Sequence, residues 1–247
     1  MEILVAALCG AVIGLILGLV GAGGSMIAVP MLIYIFSFSP VQATTASLLI
    51  VFAGAAAGLS SKFKNGDVLV RDGLVIWFFG LTTNFAGAYF LPQLPETLIL
   101  TGFSLVLISA GASMLLKQVS QREERRMSIF ALIALSLLIG AMTGLFGIGG
   151  GFVAIPILIL FYNVSPNKAA GTSLFIIMIN TLTGFIAHAR HWEEVQWSLP
   201  ITIAIFALLT SRMAAQQSKR FEAATLKRWF AGTVFAIAIF TLLETWT

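Results

Sequence analysis

Two glycine clusters hold most of the residues in this chain that could bind a ligand without a charged side chain. Gly21, Gly23 and Gly24, followed by Ser25, lie in the string GLVGAGGSMIAVP at 18–30; Gly147, Gly149, Gly150 and Gly151 lie in GLFGIGGGFVAIP at 144–156. Glycine admits positive φ and lets a ligand come close to the backbone. A helix that starts just after such a break offers free N–H groups and the positive end of its dipole, and both favour an anion. Hydroxyls follow each cluster, Thr45 and Ser47 after the first and Thr172 and Ser173 after the second. They are suited to donate to oxyanion oxygens or, alternatively, to bond back to their own helices. Asn180 interrupts an apolar run, where a polar residue faces a partner or a cavity. These residue types predict reversible binding of a small anion.

Other chemistries fit less well. Met26 and Phe152 occupy the place of the third glycine in a dinucleotide fingerprint, and neither string has the lysine of a phosphate loop. The apolar runs contain no paired carboxylates, no histidine cluster and no nucleophile beside a base, so the protein reads as not an enzyme. No cofactor, resident metal or nucleic-acid partner is expected. His188, His191 and Glu194 in HARHWEE have metal-ligand types at three-residue spacing. The surrounding tryptophans and charges read instead as a short interfacial loop. Cys9 is the single cysteine, so an intramolecular disulfide is excluded.

The elements that position the glycines are membrane helices. Of 247 residues, 59% are hydrophobic and 10% charged, and no charge occurs between Ile3 and Ser61. A bilayer helix needs about 20 largely apolar residues. The early segment lacks the positive n-region of a signal peptide and reads as a retained first helix. A shift of 126 residues superimposes the two glycine strings, with 8 identities in the 17 positions from Gly14 to Pro30. The same shift pairs Ser39-Pro40 with Ser165-Pro166, Ser47 with Ser173, and Asn180 with Gly54. The chain therefore divides into a first repeat at 1–120, a charged linker at 121–127 and a second repeat at 128–247.

Predicted helices are 3–20, 25–37, 42–61, 70–91 and 96–117, then 128–146, 151–162, 168–188, 197–215 and 224–244. The legs at 25–37 and 151–162 reach only about 20 Å at 1.5 Å per residue, short of a hydrocarbon core of about 30 Å. Each leg is expected to re-enter and return. With both termini outside, twelve Lys/Arg fall inside and only Arg190 outside, Arg212 near a helix end being left uncounted. The expectation is an all-α polytopic membrane protein made of two inverted repeats. Each repeat would hold a glycine-broken helix, a short re-entrant leg and three further transmembrane helices. Broken helices at matching positions of inverted repeats point to a transporter's midplane site. Gly14, Gly18, Gly140 and Gly144, at four-residue spacing, suit close helix packing instead.

The strings GLVGAGGSMIAVP…SP…ATTASL and GLFGIGGGFVAIP…SP…AAGTSL resemble the paired signature of the sulfite exporter TauE/SafE family of membrane permeases. The resemblance covers both halves, essentially the whole chain. It implies a secondary transporter of a small sulfur-containing oxyanion or organosulfonate, of the sulfite, thiosulfate or sulfoacetate class, in the bacterial inner membrane. The substrate-binding residues would be Gly21, Gly23, Gly24, Ser25, Thr45, Ser47, Gly147, Gly149, Gly150, Gly151, Thr172, Ser173 and Asn180. A channel with the same site is the alternative. Partners are the anion and membrane lipid, and a homo-oligomer is compatible with the sequence.

Overall fold

The computed structural model describes residues 1–21, 24–115, 128–162, 164–217 and 223–246, and among these it is all helical. In chain order the helices are α1 (Glu2–Val20), α2 (Gly24–Phe36), α3 (Pro40–Lys64), α4 (Val70–Phe90) and α5 (Glu96–Leu115). Then follow α6 (Ile129–Phe146), α7 (Gly151–Tyr162), α8 (Pro166–Ala187), α9 (Ser198–Gln217) and α10 (Ala223–Trp246). Six of these are long and apolar enough to span a bilayer: α1, α3, α4, α6, α8 and α9. Their outward faces carry bare Leu8, Phe78, Phe130, Ile205 and Met213, a surface suited to lipid and costly in water. The protein is a multi-pass membrane protein.

Local chemistry sets the helix limits. Gly21 (φ 88°) and Gly147 (φ 66°) end α1 and α6 in the left-handed conformation, with their N–H groups donating to Leu17 and Thr143 carbonyls at 2.9 Å. That cap closes a helix at a position where a side chain would be strained. The legs α2 and α7 have 13 and 12 residues and finish alike: Phe38 N–H donates to Leu32 O, and Val164 N–H to Leu158 O. At the start of α3 a reciprocal capping box joins Ser39 and Gln42, with Pro40 in the first turn. The cap draws α3 two residues earlier than the 42–61 read from hydropathy. At its other end α3 continues through Lys62 to Lys64.

Small residues decide the packing. A side chain on Gly10, Gly14 or Gly18 of α1 would strike the backbone of α9 at Ile203, Ala207 or Ser211. One on Gly140 or Gly144 of α6 would strike α4 at Gly80 or Asn84. These glycines allow direct backbone contact, as small-residue spacing in membrane helices does. The pairs α1–α9 and α4–α6 both join one half of the chain to the other. Between them α3 and α8 cross in opposite directions, since Leu48 meets Gly184 and Gly58 meets Leu174. α5 and α10 are also antiparallel, with Gly111 against Phe235 and Thr101 bonded to Trp246. Asn180 lies midway between the two α3–α8 contact points.

Candidate anion-binding site

Both legs begin inside the bundle and not at its ends. The Cβ direction of Gly24 points at Ile13 and Leu17, and that of Gly150 at Ile139. Ile13 and Ile139 each lie seven residues before the last residue of their helices, α1 and α6, so the chain doubles back by about 10 Å before the leg starts. The start of α7 rests on the middle of α8, with Gly149 against Ile177 and Thr181 and Gly151 against Ser173 and Ile177. Gly149 (φ 70°) and Gly150 (φ 64°) are left-handed as well, a conformation that non-glycine residues rarely adopt.

Residues 147 to 151 are buried, and the N–H groups of Gly149 and Gly150 donate to no described residue. Buried N–H groups are paired in more than nine cases in ten. Two of them beside the N-terminus of α7 therefore form a place that favours an acceptor, and the helix dipole favours a negative one. Of the first cluster, Gly21 and Gly24 are buried, Gly23 lies outside the described residues, and Ser25 is placed in the backbone of α2 only.

The hydroxyls are closely engaged. Ser173 Oγ donates to the Gly151 carbonyl at 2.8 Å and ties the start of α7 to α8. Ser47 Oγ lies 2.7 Å from Thr44 O in its own helix and 3.3 Å from Gly147 O across the molecule. Thr172 Oγ1 accepts from Leu69 N–H at 2.9 Å. Thr45 Oγ1 sits 2.8 Å from Val41 O and 3.1 Å from His188 Nδ1. All four are fully buried, and their protons or lone pairs serve backbone or imidazole partners. The structure thus brings Ser47 to Gly147 and Ser173 to Gly151, while Thr45 and Thr172 face other partners.

A small polar group surrounds Asn180. Asn84 Nδ2 donates to Asn180 O at 3.1 Å, and Asn180 Nδ2 donates to Ile176 O at 3.0 Å. Their Oδ1 atoms are buried and accept from none of the described residues. Asn84, like Asn180, is an amide beside threonine in an otherwise largely apolar helix, and that was the available signal. The remaining surprise is position 188. His188 is fully buried at the end of α8, where an interfacial loop was expected. Under the 126-residue shift it matches Lys62, which is also buried.

Comparison with known proteins agrees with this architecture. The model of the family described as Sulfite exporter TauE/SafE matches residues 6–241. A "Probable membrane transporter protein" of Xylella fastidiosa is 29% identical over 96% of this chain and 94% of its own length. The "Probable membrane transporter protein YunE" of Bacillus subtilis is 24% identical over 92% of each chain, and a Haemophilus influenzae relative of the same description is 24% identical over 98% of each. No solved structure matches. With that match running through both glycine breaks and all ten helices, the chain belongs to the sulfite exporter TauE/SafE family of membrane transporters.

Proposed function

We propose that this protein is a secondary transporter that moves a small sulfur-containing oxyanion or organosulfonate, of the sulfite, thiosulfate or sulfoacetate class, across a bacterial inner membrane. The observation that carries this reading is the second break, where two buried N–H groups with no acceptor among the described residues adjoin the N-terminus of a half-length helix. The anion would sit there, close to the middle of α8. The first break, with Gly21, Gly24 and the undescribed Gly23, would contribute the other half of the site. Antiparallel α3 and α8 support two repeats of opposite orientation, rocking about the α3–α8 crossing. An anion channel built on the same half-helices is the second reading, because it needs the same N–H groups.

Both termini would lie on the periplasmic side, with the linker around Arg122–Arg126 in the cytoplasm, by the asymmetry of Lys and Arg. A cysteine introduced in that linker of intact cells should resist an impermeant thiol reagent, and labelling there would reverse the orientation. Ligand class is tested by a thermal-shift screen of purified protein. Sulfite, thiosulfate or a sulfonate should raise the melting temperature in a saturable way. Equal, unsaturable responses to all salts would remove the sulfur-anion reading.

A further inference from the structure

His188 closes the end of the bundle next to the second break. Its Nε2 lies 2.9 Å from the carbonyl of Gly144, three residues before left-handed Gly147, and its Nδ1 lies 3.1 Å from Thr45 Oγ1 of α3. Its own N–H caps α8 by donating to Gly184 O at 2.9 Å. The imidazole is therefore placed at the C-terminal ends of both α6 and α8, where the helix dipoles favour positive charge.

The hydrogen-bond set fixes where protons can sit. Gly144 O can only accept, so Nε2 carries a hydrogen. Thr45 has one hydroxyl hydrogen and two acceptors in reach, Val41 O and His188 Nδ1. With a neutral ring, one acceptor goes without. With a second proton on Nδ1, the ring donates to Thr45, Thr45 donates to Val41, and every partner is matched. Burial pushes the other way and lowers the His188 pKa to about 4. An anion arriving at Gly149, which packs on Thr181 about 10 Å along α8 from His188, would offset part of that penalty through the low-dielectric interior.

A route to solvent is also present. The His191 ring lies 6.3 Å from the His188 ring, centroid to centroid, and its Nδ1 is 2.9 Å from the exposed carboxylate of Glu194. Gln42 of α3 holds this turn by donating to Glu194 O at 2.8 Å, and Phe185 stacks on Trp192 at 4.6 Å. Burial therefore falls off in steps from His188 through His191 to Glu194. Few other charges face the imidazole. There is none in α6, in α3 before Lys62, in α8 after Lys168, or in α4 after Asp72. In the turn itself Arg190 is directed over Tyr89 at 6.0 Å, and Glu193 completes the set.

We propose that His188 is a proton-binding site coupled to the anion, loaded through Glu194 and His191. One proton moves from solvent to Nδ1 of His188 as an anion occupies the neighbouring break, so that anion and proton travel together. By linkage each raises the affinity for the other. The inference rests on the anion reading of the break, and the experiment separates the two.

Proteoliposomes would be loaded with potassium and clamped at zero potential with valinomycin, using thiosulfate as the probe. A lumen more alkaline than the bath should drive thiosulfate accumulation by wild type. His188→Gln, whose amide can still bond Gly144 and Thr45, should lose that response and leave any remaining flux indifferent to the gradient. Accumulation by wild type that ignores the gradient, or His188→Gln that keeps the full gradient response, would overturn the proposal. If wild type exchanges no sulfur anion at all, the anion reading fails first. Should His188→Gln not fold, calorimetry of wild type decides. Near pH 6, binding heats in two buffers of different ionisation enthalpy should report close to one proton taken up per thiosulfate. Tight binding with no proton uptake would refute the coupling.

Discussion

The two glycine breaks share a backbone plan but differ in chemistry. Gly21 and Gly147 end their helices alike, and each packs on the other half's central helix, Gly21 on Ala170 and Gly147 on Thr44. By the 126-residue shift these contacts are equivalent. Beyond them the matched positions diverge. Thr45 matches Gly171, Asn180 matches Gly54, Thr143 matches Leu17, and His188 matches Lys62. At these four matched positions the second break has hydroxyl, amide and imidazole groups, and the first has glycine, leucine and a buried lysine. The backbone supplies two short helices, α2 and α7, and an antiparallel crossing of α3 and α8. The side chains at these matched positions therefore differ in chemistry, with buried Lys62 on one side and buried His188 on the other.

The largest expected effect sharpens this contrast. Gly150→Ala combines a strained positive φ with a collision at Ile139, so about 2–6 kcal/mol of stability should be lost. Gly24→Ala only overpacks against α1 and should cost about 1–3 kcal/mol. Thermal unfolding in detergent ranks them, and the reverse order would break the comparison. Next comes acid sensitivity. The folded pKa of His188 is about 4 against an ordinary 6.5, so the folded state favours the neutral ring. Stability is then full above about pH 6.5 and falls by roughly 3 kcal/mol as pH drops to about 4, because only the unfolded chain takes up the proton. Removing the imidazole in His188→Gln should flatten that profile between the same limits.

Smaller effects follow at the hydroxyls. Ser173→Ala removes the 2.8 Å bond that holds the start of α7 and should cost about 0.5–1.5 kcal/mol in stability, with weaker anion binding. Ser47→Ala loses a 3.3 Å contact to Gly147 and a bond within its own helix, so its effect on binding should be smaller. Calorimetry with thiosulfate compares the two directly. The smallest effect belongs to Cys9→Ala. The thiol is buried in α1 and is the single cysteine of the chain, and liposome transport should be retained.

Much of the fold was legible because glycine, proline and charge punctuate an otherwise apolar chain. The ten helices lie within a few residues of the predicted spans, and the short legs at 25–37 and 151–162 appear as α2 and α7. The packing glycines were legible too, since four-residue spacing has few other uses in a membrane helix. Cross-chain partners were not. Nothing local tells that Ser47 meets Gly147, 100 residues away, or that Thr45 meets His188. HARHWEE reads as an exposed loop by composition. Arg190 and Trp192 to Glu194 are indeed exposed, and His188 alone is buried, because its ring meets Thr45 and Gly144 from elsewhere in the chain. Lys62 likewise reads as the first residue of a loop but lies inside the last turn of α3. At Gly24 the Cβ direction is filled by α1, a contact that its place among the glycines did not reveal.

The central claim is that these half-helices carry a sulfur-containing anion through the bundle, and counterflow tests it most directly. Proteoliposomes preloaded with unlabelled thiosulfate should take up labelled thiosulfate in a saturable way, faster than empty-loaded controls. Gly150→Ala, compared at equal amounts of monodisperse protein, should reduce that uptake severely. Wild-type uptake of sulfite, thiosulfate and sulfonates no greater than in protein-free liposomes, from monodisperse protein, would contradict the account.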